Sequence, residues 1–201
     1  MLEPVLISEE ILTQATLWRT ECLSRWNEDG MRPKIGEASL SSPVDGTERK
    51  VVLHVASGFA VKGKTFVGLR SEEGEIIGKG YTIVLNRDRI ANPEPELMHV
   101  LLHEITHSID PCFDEDVERQ DREGQLTDPI DLYNLPSEQR AFSAMWTENL
   151  RVDIEQSRYR NPAVSMIFFR QQSVEFDGFY AHCQMTRHDL MDQSKDHIRK
   201  I

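Results

Sequence analysis

Prolines bracket one stretch of the chain and leave it little choice of structure. In NPEPELMHVLLHEITHSIDP (92–111), Pro93 and Pro95 suit the first turn of a helix, where a backbone N–H is dispensable. Pro111 stops that helix, because the residue before a proline is pushed out of the helical region. A helix over 92–110 is expected, with Leu97, Val100, Leu101, Ile105 and Ile109 as its buried stripe. The same stretch places His103 and His107 four positions apart, with Glu104 directly after the first histidine. Residues four apart lie one above the other on a helix, so both imidazoles can aim at one point. Zinc–nitrogen bonds of about 2.0–2.1 Å fit that geometry. Glu104 points about 100° away around the axis, outside the ligand shell but within reach of a water beside the metal. The pattern His-Glu-x-x-His thus draws two ligands and a general base from one turn. The plainer reading is an ordinary helix with two histidines and a surface glutamate. Leu101, Leu102 and Ile105, which would bury the other sides of the helix, favour the metal.

Upstream, residues 8–28 have Ile11, Ala15, Trp18, Cys22 and Trp26 at helical spacing behind a Ser8 cap, and Asp29-Gly30 ends them. Residues 31–48 contain Pro33, Gly36, Pro43 and Gly46 and read as loop. KVVLHVAS (50–57), KTFVGLR (64–70) and YTIVLN (81–86) read as strands, the last two flanking a glycine-bearing turn. A small sheet of three or four strands, mostly antiparallel, is expected. Strand 80–86, just ahead of the metal helix, is the candidate sheet edge for pairing with an extended peptide. Residues 113–131 are polar and read as an exposed connection with room for a short helix. Residues 137–159 read as helix again, and Asn161-Pro162 breaks it.

Catalytic zinc takes three protein ligands and keeps a position open for water. A histidine six residues after His107 would fall at Phe113, and the glycine that accompanies such a histidine would fall at Asp110, so that route is closed. Asp110, at the helix end, is better placed as an outer-shell partner than as a ligand, or as a plain helix terminator, which is the preferred reading. Glu138 is the leading candidate: in LPSEQRAF it stands at the start of a helix, and Ala141 and Ala144 would allow close helix packing. The plainer role for Glu138 is to satisfy a helix N-terminus. Glu148 and Glu155 are weaker alternatives.

HEITH followed by a polar connection and PSEQRAF resembles the gluzincin metallopeptidases, in which a downstream glutamate on a second helix completes the site. The resemblance covers 103–107 and about 133–145. It implies an α+β, zincin-like fold. An upper lobe (about 1–112) would carry the sheet and the active-site helix, and a helical lower lobe (about 113–201) would carry Glu138, within one domain. It implies a zinc metalloendopeptidase in which His103, His107 and Glu138 hold Zn2+ and Glu104 is the base. Tyr133 is the candidate oxyanion donor, with Arg140 and His182 behind it. Phe142 departs from the pattern, since the best-known members carry an acidic residue there; the smaller members, with alanine three after the glutamate, fit better.

A net charge of −11 repels phosphate backbones and anionic lipid, so the expected partner is a peptide or protein substrate rather than nucleic acid or membrane. Three scattered cysteines make no disulfide framework, and MLEPVLISEEIL lacks a signal-peptide pattern. A cytoplasmic setting is expected, with signal-less export left open. Peptide deformylases share the histidine motif but use a cysteine ligand; Cys22, the lone upstream cysteine, lacks the matching surroundings. The alternative from another class is a binding or scaffold protein that keeps the metal site without catalysis. An intact Glu104 argues against it, because a structural ion has no use for a base.

Overall fold

Ser8 begins the first helix as the sequence suggests: its hydroxyl accepts a hydrogen bond from the Ile11 N–H. That helix, α1 (Glu9–Arg25), buries Ile11, Ala15, Trp18 and Cys22. The structure, a computed structural model, describes residues 7–27, 33–124, 135–142 and 144–145. It is α+β, with a mixed four-stranded sheet. The chain divides into two compact units, Val5–Glu115 and Met1–Pro4 together with Asp116–Ile201.

The first unit holds β1 (Lys34–Ser41), β2 (Glu48–Ala56), β3 (Gly63–Arg70), β4 (Ile76–Asn86) and α2 (Pro93–Ile109). The strand order is β1-β2-β4-β3. β1 pairs antiparallel with β2, and β3 antiparallel with β4, whereas β2 and β4 run parallel from Val51↔Tyr81 to Ala56↔Asn86. One face of the central pair, Val51, Leu53 and Val55 with Tyr81, Ile83 and Leu85, joins the buried faces of α1 and α2 in a single core. Burying each such aliphatic side chain contributes roughly 1.5–3 kcal/mol. From α2 the core takes Leu97, Leu101, Leu102, Ile105 and Ile109, all fully buried. Arg19 of α1 donates to the Glu94 carbonyl in the first turn of α2 and fastens the two helices there. Pro93 occupies the opening position of α2, and the Glu96 carboxylate, one turn on, accepts from the N–H of the N-cap residue Asn92.

Two expectations need correction. Residues 34–41, read as loop, form β1. Its pattern is faint because only Leu40 on this edge strand is fully buried. Gly36, which suggested a turn, instead admits the Trp18 indole: a Cβ there would stand 2.9 Å from the ring nitrogen. Residues 80–86 are not a sheet edge, because β4 lies between β2 and β3. The edges are β1 and β3, since the β3–β4 hairpin folds β3 to the outside. The short helix for which the polar stretch after Pro111 left room is present as α3 (Pro111–Glu123). Its apolar residues are few, Cys112, Phe113 and Val117, and among its described side chains Asp116 is the buried one.

In the second unit, residues 136–142 and 144–145 are helical. Pro136 opens that segment, as its fixed φ favours. The Asp116 carboxylate accepts from the Ser137 N–H at 3.0 Å and satisfies one of the donors left open at a helix start. Leu135, Ala141, Ala144 and Met145 are buried. The expectations for residues 146–201 lie outside the described residues. Among the described residues no helix is long and apolar enough to cross a membrane.

Candidate metal centre

The helical register of α2 does what its spacing promises. His103 and His107 bring their Nε2 atoms to 3.1 Å, with ring centroids 4.7 Å apart and the planes nearly perpendicular. Two nitrogens bound at about 2.0–2.1 Å to one tetrahedral ion stand roughly 3.3 Å apart, so the pair is already close to a chelating separation. His107 is 3% exposed, and His103 is half-buried. His103 and His107 belong to the first unit and Glu138, half-buried in its helical segment, to the second. Two imidazoles at this separation suit a divalent transition-metal ion and leave coordination positions for further ligands.

Phe113 stands where a third histidine would complete a longer motif. Its ring packs against His107 at 4.9 Å between centroids and against Tyr81 at 6.5 Å. It therefore backs the imidazole instead of adding a ligand. Tyr81 in turn holds Asp114 through its hydroxyl, at 2.7 Å, and receives the Arg49 guanidinium. Burial, then the hydrogen bond to Asp114, pushes the Tyr81 phenol well above its ordinary range, so it stays protonated as a donor. Asp110 ends α2 and starts α3: its backbone N–H returns to Thr106 and His107, and its carboxylate accepts from the Cys112 N–H. The terminator reading of Asp110 is thus observed, and the same residue caps the next helix.

Glu104 points away from the imidazole pair, as the helical offset requires, and is 5% exposed. The Thr65 hydroxyl on β3 lies 2.8 Å from its Oε2 and 3.0 Å from its backbone carbonyl. Gly63 on the same strand passes so close that a Cβ there would stand 2.8 Å from Glu104 Oε1, 2.9 Å from its Cγ and 2.7 Å from Val100 Cγ1. Sequence reading missed both residues. KTFVGLR reads as a plain strand, and nothing local in it points to a glutamate 39 positions beyond Thr65.

Tyr133, Glu148, Glu155 and His182 lie outside the described residues. Arg140 and Phe142 are half-buried in the helical segment that bears Glu138. Cys22 is fully buried in α1, and burial pushes its thiol up to about 12, so it makes a poor metal ligand near neutral pH. Comparison with known proteins finds no matching family model and no significantly similar curated protein or solved structure.

Proposed function

We propose that this chain is a zinc-dependent metalloendopeptidase of zincin-like, gluzincin-type architecture. In it His103, His107 and Glu138 hold the ion, and Glu104 is the general base. The observation that carries the reading is the approach of the His103 and His107 Nε2 atoms to 3.1 Å beside an intact, buried Glu104, and Glu138 joins them on the sequence pattern. When bound, the ion supplies Lewis acidity to a peptide carbonyl and acidifies a neighbouring water. Glu104 then takes a proton from the attacking water and delivers it to the leaving amine. Burial of Glu104 keeps bulk water from competing for that carboxylate, and Phe113 limits rotation of the His107 ring. Tyr133 is the proposed donor to the developing oxyanion. An extended substrate would pair with the edge strand β3, which carries Gly63 and Thr65 beside the base, in place of the internal β4.

The test is metal analysis of the purified protein together with cleavage of a diverse peptide library by the wild type and by Glu104→Gln. Stoichiometric zinc in both proteins, with cleavage by the wild type alone, is the expected result. Zinc in both proteins with cleavage by neither would favour the metal-keeping scaffold and end the hydrolase reading.

A further inference from the structure

We propose that the outer strand β3 is the positioning element for the base, with Thr65 as the hydrogen-bond anchor of the Glu104 carboxylate and Gly63 as the space in which that side chain lies. The inference rests on the reading of Glu104 as general base. Its geometry is contained within Val5–Glu115.

A carboxylate buried to this degree is costly unless hydrogen-bonded. Among the described residues, the hydroxyl of Thr65 is the donor the Glu104 carboxylate has, at 2.8 Å from Oε2. That hydroxyl is itself held. Thr65 is 6% exposed and sits in register opposite Ile83 of β4. Its β-branched side chain has few rotamers open to it on a packed strand. The anchor is therefore rigid on both sides, a β-branched residue on a paired strand facing a helix seated in the core.

Gly63 works by absence. Its backbone is not in the left-handed region, so conformational freedom does not explain a glycine there. Space does. The position two residues along the strand from Thr65 faces the same side of the sheet, and a methyl group there would overlap Oε1, Cγ and Val100 together. Glu104 thus has one oxygen tethered and the other closed off from swinging toward the strand. Neither residue need touch substrate or metal. They fix the direction in which the base presents its free lone pairs, and proton transfer depends steeply on that geometry.

The experiment compares Thr65→Val, Thr65→Ser and Gly63→Ala with the wild type in three measurements: zinc affinity, kcat and KM on the best library peptide, and the Glu104 side-chain position in crystals of the metal-free proteins. Thr65→Val keeps the shape and removes the donor. The expected result is unchanged zinc affinity and KM, a kcat lowered about 10–100-fold, and a displaced Glu104 carboxylate. Thr65→Ser should restore kcat to within about threefold of wild type and return the carboxylate. Gly63→Ala should displace Glu104 and lower kcat at least as far. The proposal is overturned if Thr65→Val leaves Glu104 in place, if kcat is unchanged, or if Thr65→Ser is as impaired as Thr65→Val at equal melting temperature. Should wild-type protein loaded with zinc cleave no peptide, the hydrolase reading fails on its own. The metal-free crystals still decide the cradle: a Glu104 carboxylate unmoved in Thr65→Val overturns it, and one displaced there and restored in Thr65→Ser upholds it.

Discussion

The turn of α2 that carries His103, Glu104 and His107 and the helical segment that carries Glu138 reach order by different means. The first is seated on fully buried Leu101, Leu102, Ile105 and Ile109 and is steadied from the flanks by Thr65 and Phe113. The second opens at Pro136, has its Ser137 N–H satisfied by Asp116, and buries small or flexible residues, Ala141, Ala144 and Met145. One region owes its geometry to deep apolar packing. The other owes its start to a proline and a single carboxylate cap. The difference teaches where substitutions should act: in the first region on chemistry and on the whole fold, in the second on metal retention.

The sharpest test of that division is Glu104→Gln. It keeps the shape of the side chain and removes the base, so kcat/KM should fall by roughly 10²–10⁴-fold with zinc content unchanged; loss of zinc in this variant would blur the line between base and ligand. Next in size, Ile105→Ala opens a cavity behind the turn and should cost about 2–5 kcal/mol of unfolding free energy in denaturant titration. A cost below about 1 kcal/mol would mean that the turn is not braced by the core as its burial implies. Glu138→Gln should leave the unfolding free energy of the metal-free protein within about 0.5 kcal/mol of wild type. It should also weaken zinc binding by more than the 10–100-fold typical of losing a partner behind a ligand, as read by competition with a chromophoric chelator. Equal zinc affinity in wild type and variant would remove Glu138 from the ligand set. Smallest is Asp116→Ala, which takes away the cap on Ser137 and should cost about 0.5–2 kcal/mol, with a modest loss of zinc affinity. A large loss of stability would show that the second region is held more by this carboxylate than by its buried residues.

The same contrast explains what could be read from the sequence. The residues of the α2 turn are neighbours in the chain, so helical periodicity alone brings two imidazoles together and turns the glutamate aside. Helix α2 was expected over 92–110 and spans Pro93–Ile109; α1 was expected over 8–28 and spans Glu9–Arg25. Both carry strong apolar stripes between recognisable caps. β2, β3 and β4 were visible as β-branched runs, but their order was not. A run of apolar residues says that a strand is buried and is silent on which strand lies beside it. Hence β4 was taken for an edge although it is internal, and β1 was missed because an edge strand with one fully buried side chain lacks the alternation that marks a strand. α3 escaped full recognition because its buried position is an aspartate, Asp116, whose value lies in the N–H it satisfies. Glu138 could be nominated from its place after Pro136, yet which groups it joins is something no local pattern encodes. Thr65 and Gly63 left no trace at all, because their roles exist only once the strand register is set. Tyr133 lies outside the described residues.

The internal place of β4 also gives it two pairings of very different sequence separation. β4 meets β3 through a tight turn, where the Ser71 N–H bonds the Glu75 carbonyl and the Gly74 N–H bonds that of Ser71, and it meets β2 only across a much longer excursion. Short loops close at lower entropic cost than long ones. By that measure the β3–β4 ladder closes at the lower entropic cost and the parallel β2–β4 ladder at the higher, so the strand that carries Thr65 is tied to β4 by the most local pairing in the sheet.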